Sequence, residues 1–348
     1  MRTLIVLFFA CASFFSSYAQ EDSITLMLRQ GIALHDQHDY EGAIRIYDEV
    51  IRKAPDHFLG YYEKSLSLLS AGRYAECIDI SKEILKKFPK HEELVKVYIN
   101  YGTAVDNNGD PEGAIKIYTQ GIKKFNDQYL LHYNRAVTYY THKDYEKAMA
   151  DLKKSVSLNP RHASSHQLLA YSVYRENKIA GVLALSGFLM VEPTGSRAVN
   201  NLKMLNALLN ANVEKTDDKT INITLSADAL KPSKKEDDFG MAEMMVSMTA
   251  ALENDEKFKM QNPAQKLQRK LESIVNITDE NKKKDKGFFK NFYLPLLRQM
   301  KDNNTLEAAC YIMYASSNEE SIKKWLEEHY AKVEELDQWL RGYKWVKD

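Results

Sequence analysis

The chain has 348 residues, 28% of them charged and 44% apolar, the balance of a folded chain with room for two domains. Its 48 Lys and Arg are matched by 48 Asp and Glu, so no net field favours nucleic acid or an anionic membrane surface as a partner. The first element in chain order is a targeting segment. Arg2 supplies a positive start, Leu4 to Ala10 an apolar run, and Ser17 and Ala19 the small residues of a cleavage site. Residues 1–19 therefore read as a signal peptide cut before Gln20, and the expected location is exported: periplasmic, cell-envelope or secreted. The apolar run is short for a membrane span of about 20 residues, so no span is expected after cleavage. The alternatives are an uncleaved anchor and lipidation at Cys11, although Phe8-Phe9-Ala10 makes a poor lipobox. Cleavage leaves Cys77 and Cys310, with no CxxC and no zinc-type spacing.

A helix–turn–helix pattern then recurs. It is clearest from His132 to Pro160, where Ala136 is the small residue of the first helix and Ala148 that of the second. The first small position recurs as Gly31, Ser65, Gly102, Ala136 and Ala170, in steps of 34, 37, 34 and 34 residues. The second recurs in the same steps as Ala43, Cys77, Ala114, Ala148 and Val182. Helices cross closely only where side chains are small, and each repeat buries its apolar face on the next. Cys77 thus occupies a position that should be buried and inert. Three extra residues precede the third repeat, around His91-Glu92-Glu93, and the fifth repeat, with Val182, Ser186 and Pro193, fits loosely.

These two registers and the closing Pro160 resemble the tetratricopeptide repeat, whose period is about 34 residues. The resemblance implies an all-α fold: a right-handed superhelical array of five repeats over residues 20–210, the last covered by a capping helix from Ser196 to Asn210. It also implies a concave groove lined by the first helices and used for binding protein segments. The inward positions implied are Leu59, Tyr62, Leu66 and Leu69; Lys96, Ile99, Thr103 and Asp106; Leu130, Tyr133, Val137 and Tyr140; and Ser164, Gln167, Tyr171 and Tyr174. The expected binding residues are Tyr62, Leu66, Tyr133, Tyr140, Tyr171 and Tyr174. The carboxylate clamp of chaperone-binding relatives needs Lys and Asn where this chain has Leu28 and Ile32, so that mode is not expected.

Residues 211–238 read as a linker. Asn212 to Lys219 is polar, Thr220 to Leu225 alternates like a strand, and Lys231 to Asp238 reads as loop. Residues 239–348 read as a smaller, mostly helical domain of no recognised family. Met241, Met244, Met245, Met248 and Leu252 form a stripe at helical spacing, expected in the core. A helix follows from Ala264 to Val275, then an aromatic helix from Phe288 broken at Pro295, and another from Leu306 to Tyr314. Lys282 to Lys286 reads as solvated loop. One long helix from Ile322 to Tyr343 carries Trp325 and Trp339 on a face expected to join an aromatic core.

Chemistry is sparse. There is no HExxH, no phosphate-binding loop, no GxGxxG and no GxSxG. His162 and His166 lie four apart but lack further ligands and read as surface histidines, so no metal and no cofactor is expected. The reading is a non-enzymatic exported scaffold with a protein or peptide partner and no nucleic acid. The alternatives are a glycan-binding envelope protein, since tyrosine faces also stack on sugars, and an enzyme housed in the C-terminal domain.

Overall fold

The structure is a computed structural model describing residues 23–216, 220–225, 235–279 and 286–345. Residues 1–19, read as a signal peptide, and Lys231 to Lys234 and Lys282 to Asp285 lie outside the described residues. The chain forms two compact units that divide after Thr138.

The first unit is built of helix pairs: α1 (residues 23–36) with α2 (Tyr40–Lys53), α3 (Phe58–Ser70) with α4 (Tyr74–Lys87), and α5 (Leu94–Asn107) with α6 (Pro111–Lys124). The helix α7 (Tyr129–Thr141) begins the fourth pair and runs across the division. Each pair turns through a residue in the left-handed region, His38, Gly72 or Gly109 (φ 64°, 74° and 89°). Asp39 and Asp110 then cap α2 and α6 by accepting from the amides of Gly42 and Gly113 at 2.8 Å. The predicted small positions are the crossing points: Ala43, Ser65, Cys77 and Ala114 have no exposed surface. Cys77 is a free buried thiol donating to the Ser65 carbonyl at 3.2 Å, and burial pushes its pKa up to about 11.

A ladder of side-chain hydrogen bonds ties each first helix to the next. His35 Nδ1 lies 2.8 Å from Ser67 Oγ, joining α1 to α3. Asn100 Nδ2 donates to Ser65 Oγ at 3.2 Å, joining α5 to α3. Thr138 Oγ1 donates to Asp106 Oδ2 at 2.7 Å, joining α7 to α5. The three-residue insertion is absorbed at one joint. The loop between α4 and α5 is residues 88–93, against 54–57 and 125–128 elsewhere, and α5 starts one residue earlier relative to its small position. His91 in this loop stacks on Phe58 with centroids 3.6 Å apart.

The second unit continues with α8 (Tyr145–Leu158), α9 (Ala163–Val173), α10 (Lys178–Val191) and α11 (Ser196–Asn210). Asp144 caps α8 after Lys143 at φ 65°. In the fifth repeat Asn177 caps α10 directly and the left-handed residue is missing, so that turn is one residue shorter. α10 is apolar all round, and Ile179 to Leu189 is buried on every face. A helix of that kind needs cover on all sides. It receives it from α9 and α11, from α12 (Gly240–Ala251), and from α15 (Phe288–Phe292) and α17 (Leu306–Met313). The loosely fitting fifth repeat is therefore the centre of this unit's core. Among the described residues no helix is long and apolar enough to cross a membrane.

Four expectations are corrected here. Residues 213–215, read as linker, form β1 (Val213–Lys215), antiparallel to β2 (Ile221–Ile223) with Val213 opposite Ile223. The methionine stripe is not core. α12 packs on α14 (Pro263–Asp279) and buries Ala242, Val246 and Ala250, while Met244 and Met245 are half-buried and Met241 and Met248 are 48% exposed. His166 is no surface residue. It has no exposed area, its Nδ1 lies 2.7 Å from the Tyr293 hydroxyl, its Nε2 lies 2.8 Å from the Pro160 carbonyl, and burial pulls its pKa down to about 4. The C-terminal helix breaks at His329 into α18 (Glu320–Glu328) and α19 (Tyr330–Gly342), where that imidazole stacks on Trp325 and bonds its carbonyl.

The remaining elements are a 3-10 turn (Leu252–Asn254), α13 (Glu256–Lys259) and α16 (Leu294–Asp302), which starts at the expected break beside Pro295. The aromatic core consists of the buried Phe288, Phe289, Phe292, Tyr293 and Tyr311. The tryptophans stack on its rim, Trp325 on Tyr311 at 3.8 Å and Trp345 on Phe292 at 4.8 Å.

Candidate protein-binding surface

In the first unit, Tyr62 stands half-buried on α3, its ring parallel to Phe58 at 6.2 Å with the Lys96 ammonium 5.6 Å from its centroid. Burial, helped by the charge of Glu63, raises the Tyr62 hydroxyl pKa. Leu66, one turn further, and Tyr133 on α7 are also half-buried. Glu63 was not singled out in the sequence. Burial raises its carboxyl pKa against the opposing pull of Lys96, which gives this surface an acidic group beside the Glu93–Lys96 ion pair.

In the second unit, Tyr140, Tyr171 and Tyr174 come together. Tyr140 meets Tyr145 edge to face at 5.3 Å. Burial raises the Tyr140 hydroxyl pKa, and Tyr145, Tyr174 and Tyr171 add to the rise. The Tyr171 hydroxyl donates to Asn201 Oδ1 at 3.0 Å and accepts from Gln167 Nε2 at 3.3 Å, which fixes that ring to α11. The Tyr174 hydroxyl accepts from Arg175 Nε at 3.1 Å, with the guanidinium 5.7 Å from the ring centroid. All three rings are half-buried, whereas Tyr145 and Arg175 are exposed. Tyr145 was missed as a site residue because it enters from the second helix of its repeat. The signal available was the Tyr139-Tyr140 pair five residues upstream across a tight turn.

Rings held at their base and open at their edge suit contact with another chain, since aromatic side chains carry large contact area at low entropy cost. Among the described residues, no group of three or more His, Cys, Asp and Glu side chains is placed to hold a metal ion.

This geometry defines an all-helical repeat array followed by a further helical region. Residues 28–92 and 129–162 each match a tetratricopeptide repeat family, and the chain carries tetratricopeptide repeats. It is 25% identical over 150 residues to a TPR repeat-containing protein of Methanocaldococcus jannaschii, a match over 42% of this chain and 25% of that protein, so the chain spans a quarter of this relative's length. A thermophilic TPR protein of Thermus thermophilus is 17% identical, with a TM-score of 0.44 over 53% of this chain and 99% of that one. MamA of Desulfovibrio magneticus RS-1 is 19% identical, with a TM-score of 0.40 over 49% and 94%.

Proposed function

We propose that this protein is a non-enzymatic exported scaffold that holds a segment of another protein against the first helices of its repeats. Tetratricopeptide repeat proteins mediate protein–protein interactions. The observation that carries the reading is the convergence of Tyr140, Tyr171 and Tyr174 beside the exposed Arg175. Tyr62, Leu66 and Tyr133 extend the same use to the first unit. A ring burying about 100 Å² on binding contributes about 2.5 kcal/mol, and three give about 7.5 kcal/mol. Association costs at least about 4 kcal/mol, so these rings alone support weak and transient binding. The test is quantitative capture of a partner by the wild-type chain and by the Tyr140→Ala/Tyr174→Ala variant. The reading predicts a loss of about tenfold or more with an unchanged melting curve. Full capture by the folded variant refutes it, and competition by an oligosaccharide panel at the same tyrosines points to a glycan ligand instead.

A further inference from the structure

An open cavity of about 430 Å³ lies in the second unit between α16 and the C-terminal end of α19. That is within the range of small-molecule sites, about 300–1,000 Å³. Its wall is made by Gln299 from α16, by Gln338, Trp339 and Gly342 from α19, and by Tyr343 and Lys344 just beyond. Trp339 and Tyr343 are four positions apart, the spacing of one helix face. Their ring centroids lie 5.2 Å apart with the planes inclined at 44°. Tyr343 is anchored, because its ring meets Trp345 edge to face at 5.2 Å and Trp345 stacks on the buried Phe292 at 4.8 Å. Both rings of the cavity are half-buried, and of the α19 residues only Leu336 is buried. Two large rings are thus fixed in place without being closed into the core. The Trp339 indole N–H, the Tyr343 hydroxyl and the amides of Gln299 and Gln338 make no hydrogen bond among the described residues, and none of these groups is sealed from solvent. Among the described residues no carboxylate lines the cavity, and the charge it carries is the exposed Lys344 ammonium.

We infer that this cavity binds a neutral sugar ring belonging to a β-linked, gluco-configured chain. Such a pyranose holds its substituents equatorially, so its two faces present C–H groups and its rim presents hydroxyls. The slightly positive C–H hydrogens lie favourably on the negative face of an aromatic ring. Each rim hydroxyl both donates and accepts, and so does each glutamine amide, so Gln299 and Gln338 match the rim while Trp339 and Tyr343 match a face. A cation would also gain from the ring faces, but it would meet Lys344 with no counter-charge in the wall. An anion would find only a lysine whose field is screened by solvent. This inference is independent of the reading of the tyrosine surface.

The test is calorimetric titration of the purified chain with cellopentaose and with a β-1,4-linked pentaglucuronate, which has the same backbone with a carboxylate on each ring. Cellopentaose is expected to bind saturably, and the pentaglucuronate no more tightly. Trp339→Ala should weaken cellopentaose by at least about tenfold, and so should Gln299→Ala/Gln338→Ala. Both glutamines are exposed, so if Trp339→Ala does not fold, the glutamine variant decides the matter. No saturable binding of cellopentaose, tighter binding of the pentaglucuronate, or full cellopentaose affinity in either folded variant overturns the inference. The last of these is also the result expected if the sugar sat on the tyrosines of the first helices instead.

Discussion

Replacing Gly102 with Ala tests the packing of the repeats by the sign of its effect. Gly102 is buried on α5, and a methyl group there would lie 2.5, 2.6 and 2.8 Å from three ring atoms of Tyr118. Carbon atoms rest about 3.5–4.0 Å apart, so the ring must retreat by about 1 Å. Tyr118 is 2% exposed, and its hydroxyl is held 2.9 Å from Thr103 Oγ1. Overpacking of this kind costs about 1–3 kcal/mol, and straining the hydroxyl contact adds up to about 1 kcal/mol. Against this, Ala is favoured over Gly within a helix by about 1 kcal/mol. The net expectation is destabilisation by up to about 3 kcal/mol, read as a lower urea midpoint by far-UV circular dichroism. Tyr118→Leu should restore part of the loss in the double variant, because the fourth repeat carries Ala136 and Leu152 at the same two places. A raised midpoint in Gly102→Ala would mean that propensity outweighs the clash and that the crossing is not close.

Acid should weaken the second unit through His166, whose folded pKa of about 4 lies below its ordinary 6.5. The neutral ring's contribution is complete above pH 6.5, is lost as pH falls toward about 4, and amounts to about 3 kcal/mol in total. Melting curves of the wild type and His166→Gln across that range check this, and parallel pH profiles contradict it. Cys77 and Cys310 should both be silent to a thiol reagent until the chain unfolds, since both are free and wholly buried. Cys77→Ala should be mild, whereas Cys77→Arg should cost several kcal/mol by burying an unpaired charge; disulfide mapping that joins Cys77 to Cys310 overturns this. N-terminal sequencing of the exported protein should begin at Gln20. A chain that keeps Met1, or starts at a lipidated Cys11, refutes the export reading.

The helix pairs were legible because close crossing leaves a residue-size record at fixed intervals. Gly31, Ser65, Gly102 and Ala136 report that constraint, and even the insertion before the third repeat showed as a single step of 37 residues. Legibility failed where apolar periodicity allows two adjacent faces. The methionines of α12 mark a stripe, yet the adjacent face with Ala242, Val246 and Ala250 is the one that is buried. The fate of His166 depended on Tyr293, 127 positions away, and spacing within a repeat carries no record of such a partner. β1 has three residues, Val-Glu-Lys, too few to show alternation. For the candidate binding surface, the positions expected to face inward came from the resemblance to the tetratricopeptide repeat. The meeting of Tyr140 with Tyr145 depended on the turn between two helices and became visible only in three dimensions.

The central claim is that partners bind on the faces of the first helices. A photo-crosslinking residue placed at Tyr140 or at Tyr174, in cells expressing the full chain, tests it most directly. The same residue at Lys82, exposed on the second helix of the second repeat, serves as the control. The account predicts adducts to one protein from positions 140 and 174 and none from 82. Adducts of equal yield from position 82, or none from 140 and 174 while the protein still co-purifies with a partner, would contradict it.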